Sequence, residues 1–287
     1  MQDQLRADII NRLQTDFDGV ERGKFLRRLR CPSCGKREAF VGTETPWMVK
    51  CGRESKCGEQ HHVKELFPDL FDSWTERYAR QDKKPGEQPT GTEVADAYMV
   101  HGRGFHLGKV RGWYAQENYW DREKEIGSAT VRFYINKKGD YWERLIDKPH
   151  RFGKKKARFN YGAQFQGHAW VPPGLDLAQG KEIWIVEGIF DAIALYHAGI
   201  PAVAGFSCNN YPGQFLDHVR DIRNEAGEDL PRLIWAMDGD AAGVRYIRKF
   251  ANISRADGWK VGAAVIPQEG NKKRDWNDAW QRGELVN

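Results

Sequence analysis

The chain has 287 residues and lacks any apolar run approaching the roughly 18 residues needed to cross a bilayer. That excludes a membrane-spanning helix. Its opening stretch, MQDQLRADIINRLQTDFDGV, has acidic residues early and no apolar segment, which excludes a secretory signal. We therefore expect a cytoplasmic protein with no membrane partner. No internal repeat of fixed period is present. A phosphate-binding loop is also missing: residues 102–110, GRGFHLGKV, have the wrong glycine spacing and no Ser or Thr after the lysine. That leaves no fused helicase ATPase in this chain.

Large net charge is absent too. The chain carries +5 overall, too little to establish a nucleic-acid partner. The distribution says more. Between residues 100 and 160 there are 15 Lys or Arg against 7 Asp or Glu, so that region holds more positive charge than the whole chain. A local field of that kind attracts a polyanion, although a solvated basic face has the same composition. The densest part runs from Arg144 to Arg158, where seven basic residues meet one acidic residue, Asp147. Trp142, Phe152, Phe159 and Tyr161 are interleaved with them. Cations neutralise phosphates and aromatic rings stack on unpaired bases, so single-stranded nucleic acid fits this pattern. The competing reading turns those rings inward to a core.

Cysteine is scarce, and four of the five fall within residues 31–57. In a cytosolic chain such a cluster points to a metal rather than to disulfides. Cys31, Cys34, Cys51 and Cys57 follow the spacing C-x2-C-x16-C-x5-C. A two-residue gap lets both thiolates of a tight turn face one ion, and four thiolates close a tetrahedral shell around structural zinc. The second pair is wider than usual, and His61 or His62 could replace Cys57. The segment GKFLRRLR, residues 23–30, puts four basic side chains beside the cluster. Cys208 lies too far along the chain to join it and reads as a small half-buried residue.

Leu5, Ile9, Ile10 and Leu13 have helical spacing, and we expect helix over residues 1–27. Residues 63–79 read as short helical pieces interrupted at Pro68. The segment 80–93, RQDKKPGEQPTGTE, has almost nothing apolar and reads as a linker. An apolar-periodic stretch follows at 94–114, then a hairpin within 129–146 turning at Lys-Lys-Gly-Asp. From residue 182 apolar strands alternate with helices: strands at 182–186, 201–205, 232–237 and 260–266, helices at 190–199, 212–227 and 241–254. That alternation predicts an α/β fold with a parallel sheet.

The first of these strands runs into Glu187-Gly188, and the third into Asp238-Gly239-Asp240. Carboxylates at the C-terminal ends of parallel strands stand in the crevice where such sheets bind ligands. Alternate residues of an extended segment point the same way, so Asp238 and Asp240 can aim at one place. Like charges this close need a cation, and magnesium or manganese suits an all-oxygen set. A further acidic segment, with Asp275, follows the fourth strand. Taken singly, Glu-Gly and Asp-Gly-Asp are ordinary turn sequences. Their order at successive strand ends is what points to phosphoryl or nucleotidyl transfer.

The stretches IVEGIFDAIAL, AMDGDAAG and KRDWND resemble the three signatures of the Toprim domain. The ribbon CPSC…C…C resembles the one ahead of Toprim in bacterial-type DNA primases. ADAYMVHGRGF (95–105) and KARFNYG (156–162) are similar to elements of the primase core. The resemblance spans residues 25–280 or so. It implies a zinc ribbon over 1–79, a linker over 80–93, a basic α+β subdomain over 94–179 and a parallel-sheet Toprim domain over 180–287. It implies primer synthesis on single-stranded DNA from ribonucleoside triphosphates, with a replicative helicase as a further partner. Glu187, Asp238, Asp240 and Asp275 take the catalytic roles it implies, with Glu187, Asp238 and Asp240 holding magnesium. Arg144, Lys156, Arg158 and Asn160 take the nucleotide- and template-binding roles. Cellular primases usually have a histidine among their zinc ligands. The cysteine at that place here, and the wider second pair, resemble the primase of a plasmid, phage or integrated element. The competing functions are a Toprim nuclease or topoisomerase-like protein and a non-catalytic single-stranded DNA-binding module.

Overall fold

Leu5, Ile9, Ile10 and Leu13 do share a helix, α1 (Gln2–Phe17), but it stops ten residues short of the expected limit at 27. Asp18 turns left-handed at φ 59°, and Gly19 follows where a side chain would press on Leu26 and Leu29. The next residues form a hairpin, β1 (Val20–Arg22) and β2 (Phe25–Leu29), turning at Gly23 with φ 58°. Their Arg and Leu content suits a helix in isolation, so pairing with later strands overrides local preference. In a computed structural model the described residues are 2–71, 73–78, 90–153, 156–268 and 274–285.

Strands β3 (Ala39–Gly42), β4 (Met48–Cys51) and β5 (Gln60–His62) complete an antiparallel meander in the order β1-β2-β3-β4-β5. A bulge between Leu26 and Leu29, with Arg28 at φ 60°, breaks strict alternation. An extra residue in one strand shifts which side chains face inward. Leu26 and Leu29 are therefore both buried, although they are three residues apart. They pack with Ile9, Leu13, Val41, Val49, Val63 and Phe67. Helices α2 (Val63–Leu66), α3 (Pro68–Phe71) and α4 (Trp74–Tyr78) follow, with the break at Pro68 that its missing N–H dictates. Most of the expected linker, 80–89, lies outside the described residues, and α5 (Glu93–Ala97) opens at its last position.

By packing, the chain divides into two units. One comprises residues 1–94, 116–131 and 144–158; the other comprises 95–115, 132–143 and 159–287. Helix α5 continues into a π-helical turn over Tyr98–Gly102, and α6 (Leu107–Val110) follows. Strands β6 (Ala115–Asp121), β7 (Ile126–Tyr134), β8 (Tyr141–Leu145) and β9 (Ala157–Phe159) form a sheet in that order. The expected hairpin is β7–β8, turning at Gly139 with φ 90°.

The alternating C-terminal pattern gives strands β10 (Glu182–Val186), β11 (Ala202–Ala204), β12 (Arg232–Trp235) and β13 (Val261–Ala263). Between and after them run α7 (Ile189–His197), α8 (Gly213–Ala226), α9 (Ala241–Ala256) and α10 (Trp276–Gln281). Every pairing is parallel and the order is β11-β10-β12-β13. The chain thus leaves β10 toward one edge and later returns to the opposite side of it. That reversal opens a crevice past the C-terminal ends of β10 and β12, where open α/β sheets place ligands. The core beneath joins Ile183, Ile185, Leu233, Trp235 and Phe250. The Trp235 and Phe250 rings are 5.0 Å apart. Among the described residues no helix is long and apolar enough to cross a membrane.

One carboxylate ties three segments of the first unit together. Asp147 Oδ1 accepts from the Ser73 hydroxyl (3.2 Å) and the Thr75 N–H (2.9 Å); Oδ2 accepts from the Thr75 hydroxyl and the Ala129 N–H (3.0 Å). Its removal strands all four donors. We expect Asp147→Ala to cost about 2–4 kcal/mol, as for loss of several charge-assisted hydrogen bonds. Urea unfolding of the two proteins measures it; a loss near zero would show that water replaces the carboxylate freely.

Candidate functional site

Two clusters of potential ligands have opposite chemistry. The first is thiol. Cys31 and Cys34 flank the turn after β2, Cys51 ends β4, and Cys57 precedes β5. The four sulfurs all lie within 4.8 Å of one another. The Cys31–Cys57 and Cys34–Cys51 pairs are each 3.9 Å apart. A disulfide needs about 2.05 Å, whereas sulfurs at about 2.3 Å from a tetrahedral ion sit roughly 3.8 Å from each other. The donor set therefore fits zinc. Neither histidine enters it. His61 Nε2 lies 3.0 Å from the Ser33 hydroxyl, and His62 Nδ1 accepts from the Lys64 N–H at the start of α2.

Acidity is uneven within this cluster. The Cys34 thiol is lowered to about 7, chiefly by the Lys36 N–H, with the other sulfurs assisting against burial. Cys57 is pushed up to about 12. The Glu59 N–H pulls its thiol down, but burial and the three neighbouring sulfurs outweigh that. Four thiolates cannot coexist at this spacing without a positive ion between them.

The second cluster is carboxylate. Ile185 and Trp235 are the last paired residues of β10 and β12, so Glu187 lies two residues beyond the pair and Asp238 three beyond. The expected adjacency of the two strands is thus present. Asp238 is buried and Glu187 half-buried. Gly239 and Gly243 pack so closely that a β-carbon on either would overlap a backbone oxygen, of Ile266 and of Asp238 respectively. Asp240 follows in extended conformation as the N-cap of α9, its Oδ1 accepting from the Gly243 N–H at 2.8 Å. One of its oxygens is therefore spent on the helix end, as a capping aspartate requires. Asp275 caps α10 in the same way, accepting from the Asp278 N–H at 2.7 Å.

The sequence reading missed Asp191. It sits in the first turn of α7, inside a segment that reads as an ordinary amphipathic helix, and is 7% exposed. Burial raises its carboxyl well above the usual range, and the charges of Asp275 and Asp238 push the same way. The Asn277 N–H, 3.1 Å from its Oδ1, and Arg103 pull it back only in part. Asp275 is also raised, by burial first and by Asp278 and Asp238, against its own hydrogen bond from Asp278 and the charge of Arg103. Asp191, Asp238 and Asp275 are therefore within electrostatic reach of one another. Among the described residues, only the thiols converge tightly enough to form a ready-made shell. The carboxylate set is open, and its oxygen donors fit a hard divalent cation.

Arg103 was visible only as part of the Arg-Gly element. It follows the π-helical turn and lies over the Phe190 ring, 4.2 Å from its centroid. Its Nε donates to the Tyr98 hydroxyl (2.9 Å) and its Nη1 to Asn277 Oδ1 (3.1 Å), while Asn277 Nδ2 donates back to the Arg103 carbonyl (3.0 Å). The Trp276 indole donates to the Ala236 carbonyl at 2.7 Å, docking the start of α10 on the end of β12. Lys273 of the third signature lies outside the described residues.

The basic candidates are placed less uniformly. Arg158 stacks over Tyr119 at 4.2 Å. The buried Arg144 Nε has no hydrogen-bond partner among the described residues. Lys156 lines a cavity with α1 residues. Asn160 is held in a turn: its amide donates to Asp140 Oδ1 (2.9 Å) and accepts from the Tyr141 N–H (2.7 Å). These bonds, with Asn136 and the Gln164 N–H, hold the Asp140 carboxyl below its ordinary value. Phe152 turns inward onto Tyr119, and Phe159 stacks on Phe165 at 4.0 Å, while Tyr161 is 100% exposed. Lys154 and Lys155 lie outside the described residues.

Residues 184–280 match the Toprim-like family. No curated protein matches the chain significantly. Among solved structures, the zinc-binding and RNA polymerase domains of the Aquifex aeolicus primase are similar with a TM-score of 0.44 at 15% identity, over 99% of this chain and 82% of that one. The RNA polymerase domain of the Mycobacterium tuberculosis primase gives 0.42 at 17% identity, over 78% and 73%. A bacteriophage T7 assembly of lagging-strand DNA polymerase with primase domains on an RNA/DNA hybrid gives 0.43 at 18%, over 64% and 85%.

The two clusters make separable predictions. Purified protein is expected to hold about one zinc ion, and Cys57→Ser to lose it at lower chelator concentration. Release of zinc to a chromogenic chelator measures this; equal release from both proteins would exclude Cys57 as a ligand. In the second cluster, Asp191→Asn removes a carboxyl that burial penalises. Without added cation its melting temperature is expected to rise by about 2–5 °C, and the stabilisation by magnesium to shrink. An unchanged magnesium response would place the ion elsewhere.

Proposed function

We propose that this chain is a DNA primase, making short RNA primers on single-stranded DNA by metal-dependent nucleotidyl transfer. The observation that carries the reading is the carboxylate crevice of the Toprim-like domain, in one chain with a closed thiol cluster and a basic sheet ahead of it. In this reading Cys31, Cys34, Cys51 and Cys57 hold structural zinc. Asp238 and Asp191, with Glu187, Asp240 and Asp275 around them, hold magnesium or manganese. A bound divalent cation supplies Lewis-acid stabilisation of the charge that builds on the transferring phosphate.

The chain's own groups do the rest. A 3′-hydroxyl oxygen forms a bond to the α-phosphorus of a ribonucleoside triphosphate, the bond to the β-phosphate oxygen breaks, and pyrophosphate leaves. Glu187, half-buried at the end of β10, takes the proton of the attacking hydroxyl. Arg103 keeps part of the carboxylate repulsion in check while the crevice is empty. Arg144 and Arg158 neutralise phosphates of template or nucleotide. Asn160 acts by holding the turn that presents the exposed ring of Tyr161, on which an unpaired base can stack. The all-cysteine donor set favours a primase of a mobile element, and a replicative helicase is its expected partner. A cytoplasmic setting follows from the same role.

The test is ribonucleotide incorporation on mixed-sequence single-stranded DNA with magnesium or manganese. Wild type is expected to make primers, and Asp238→Ala/Asp240→Ala to lose at least about a thousandfold in rate, the scale on which electrostatic stabilisation of a transition state acts. Absence of primers from wild type on every template would overturn the reading. Nicking of DNA without nucleotides would replace it with a Toprim nuclease, and tight strand binding with neither activity would leave a binding module.

A further inference from the structure

A second polar site lies within the first unit. It is a cavity of about 680 Å³ whose lining contains no apolar side chain. That volume is within the range of small-ligand pockets, which are usually mostly apolar. One wall is the face of α1 bearing Asp8, Arg12 and Thr15. The opposite wall has His150 and Arg151 of the turn Pro149–Phe152, with Gly153 and Lys156; Lys124 comes from the turn between β6 and β7. Three segments distant in sequence thus enclose one space.

Charge identifies the ligand. Four Lys or Arg side chains line the cavity against two aspartates, Asp8 and Asp16. Both aspartates are already engaged. Asp16 accepts from Arg12 at 2.8 Å, and Asp8 lies 3.2 Å from His150 Nε2 and 3.6 Å from Arg151 Nε. The Asp8 and His150 side chains are only 12% and 6% exposed. Keeping the Asp8 carboxylate this far from water costs desolvation free energy, which its neighbours at this wall offset. The lining retains a surplus of two positive charges, and its apolar surface comes from side-chain stems such as those of Arg and Lys, with no aromatic or aliphatic residue among them. A compact polyanion fits it better than a nucleobase, a lipid or a peptide.

We propose that this cavity binds the polyphosphate of a free nucleotide, at a site sharing no residue with the carboxylate crevice. Arg12, Lys124, Arg151 and Lys156 supply its cationic donors, and Asp8 orients His150 and Arg151 beneath it. An occupant touching both walls holds α1 against the turn Pro149–Phe152 and so stabilises the first unit. The proposal stands whether or not the chain makes primers.

The experiment uses the full chain at about 0.15 M salt, where weak surface charge attraction is screened. Calorimetric titration with inorganic tripolyphosphate, with ATP and with a twelve-nucleotide DNA lacking terminal phosphates is run without added divalent cation. Wild type and Asp238→Asn/Asp240→Asn are expected to bind tripolyphosphate and ATP equally. Lys124→Glu, at an exposed turn position, is expected to weaken both at least tenfold, and Arg151→Ala to do the same. Circular dichroism of each variant checks that the fold persists, and Lys124→Glu alone suffices where Arg151→Ala does not fold. Three results would overturn the proposal: no binding of tripolyphosphate, binding lost in the aspartate variant but kept by Lys124→Glu, or a Lys124→Glu effect confined to the oligonucleotide. The last would make the cavity part of a strand-binding track.

Discussion

The constraint on which the C-terminal architecture turns is repulsion among carboxylates in a place with little water. Asp191 is buried within reach of Asp238 and Asp275, and burial together with the neighbouring charges raises the carboxyls of Asp191 and Asp275. Left alone, such a group either keeps a proton or drives the elements apart. Several features make sense as answers to it. Arg103 supplies a fixed positive charge, itself held by Tyr98 and Asn277. Backbone N–H groups at the starts of α9 and α10 take up one oxygen each of Asp240 and Asp275. Glycine at 239 and 243 lets the backbone pack closely against the carbonyls of Ile266 and Asp238 respectively. A cation of two charges would relieve the carboxylate repulsion, which is the part the proposed function gives to magnesium or manganese.

The sheet beneath was legible because its signal is redundant. Each of the four strands is a short apolar run between helices of ordinary length, and a parallel sheet covered on both faces needs that composition. The strand at 182–186 was read to the residue, but others were read too long: of RLIWAM only Arg232–Trp235 is strand, and of KVGAAVI only Val261–Ala263. The N-terminal third was less legible for a physical reason. Residues 18–29 are rich in helix formers, but the cysteine cluster needs β2 and β4 in one sheet, each paired to β3 between them, to bring its halves together. Pairing over long range wins there, and the cost shows as left-handed backbone at Asp18 and Arg28. No local pattern announces such a bend.

The site divides along similar lines. Glu187, Asp238 and Asp240 were legible because a strand end followed by a turn exposes whatever side chain comes next. Asp191 was not, because a helical position carries no mark of which turn faces the crevice; the order of strands had to be known first. Asn160 sat in a basic run and was read by that company, yet its amide is committed to Asp140 and Tyr141. Among the aromatics, composition could not separate Phe152, which packs on Tyr119, from Tyr161, which faces solvent entirely. Burial is a property of the fold, and a short aromatic-basic segment says little about it.

The two ligand clusters also differ in what they leave open, and that difference assigns their roles. Four thiolates complete the shell of a small soft-tolerant ion, so nothing remains for a substrate. That cluster organises the sheet β1–β5 and has no means of doing chemistry itself. The carboxylate set is incomplete by the same measure: Asp240 gives one oxygen to its helix and Glu187 is half-exposed at the crevice mouth. A hard cation held by two or three such oxygens keeps positions for phosphate and water, as cations in phosphoryl-transfer sites do. Incompleteness is thus what the function requires of the acidic site, and completeness is what it requires of the thiol one. A chain that reversed the two, with an open thiol site and a sealed carboxylate cage, would have a ribbon prone to oxidation and a crevice unable to admit a nucleotide.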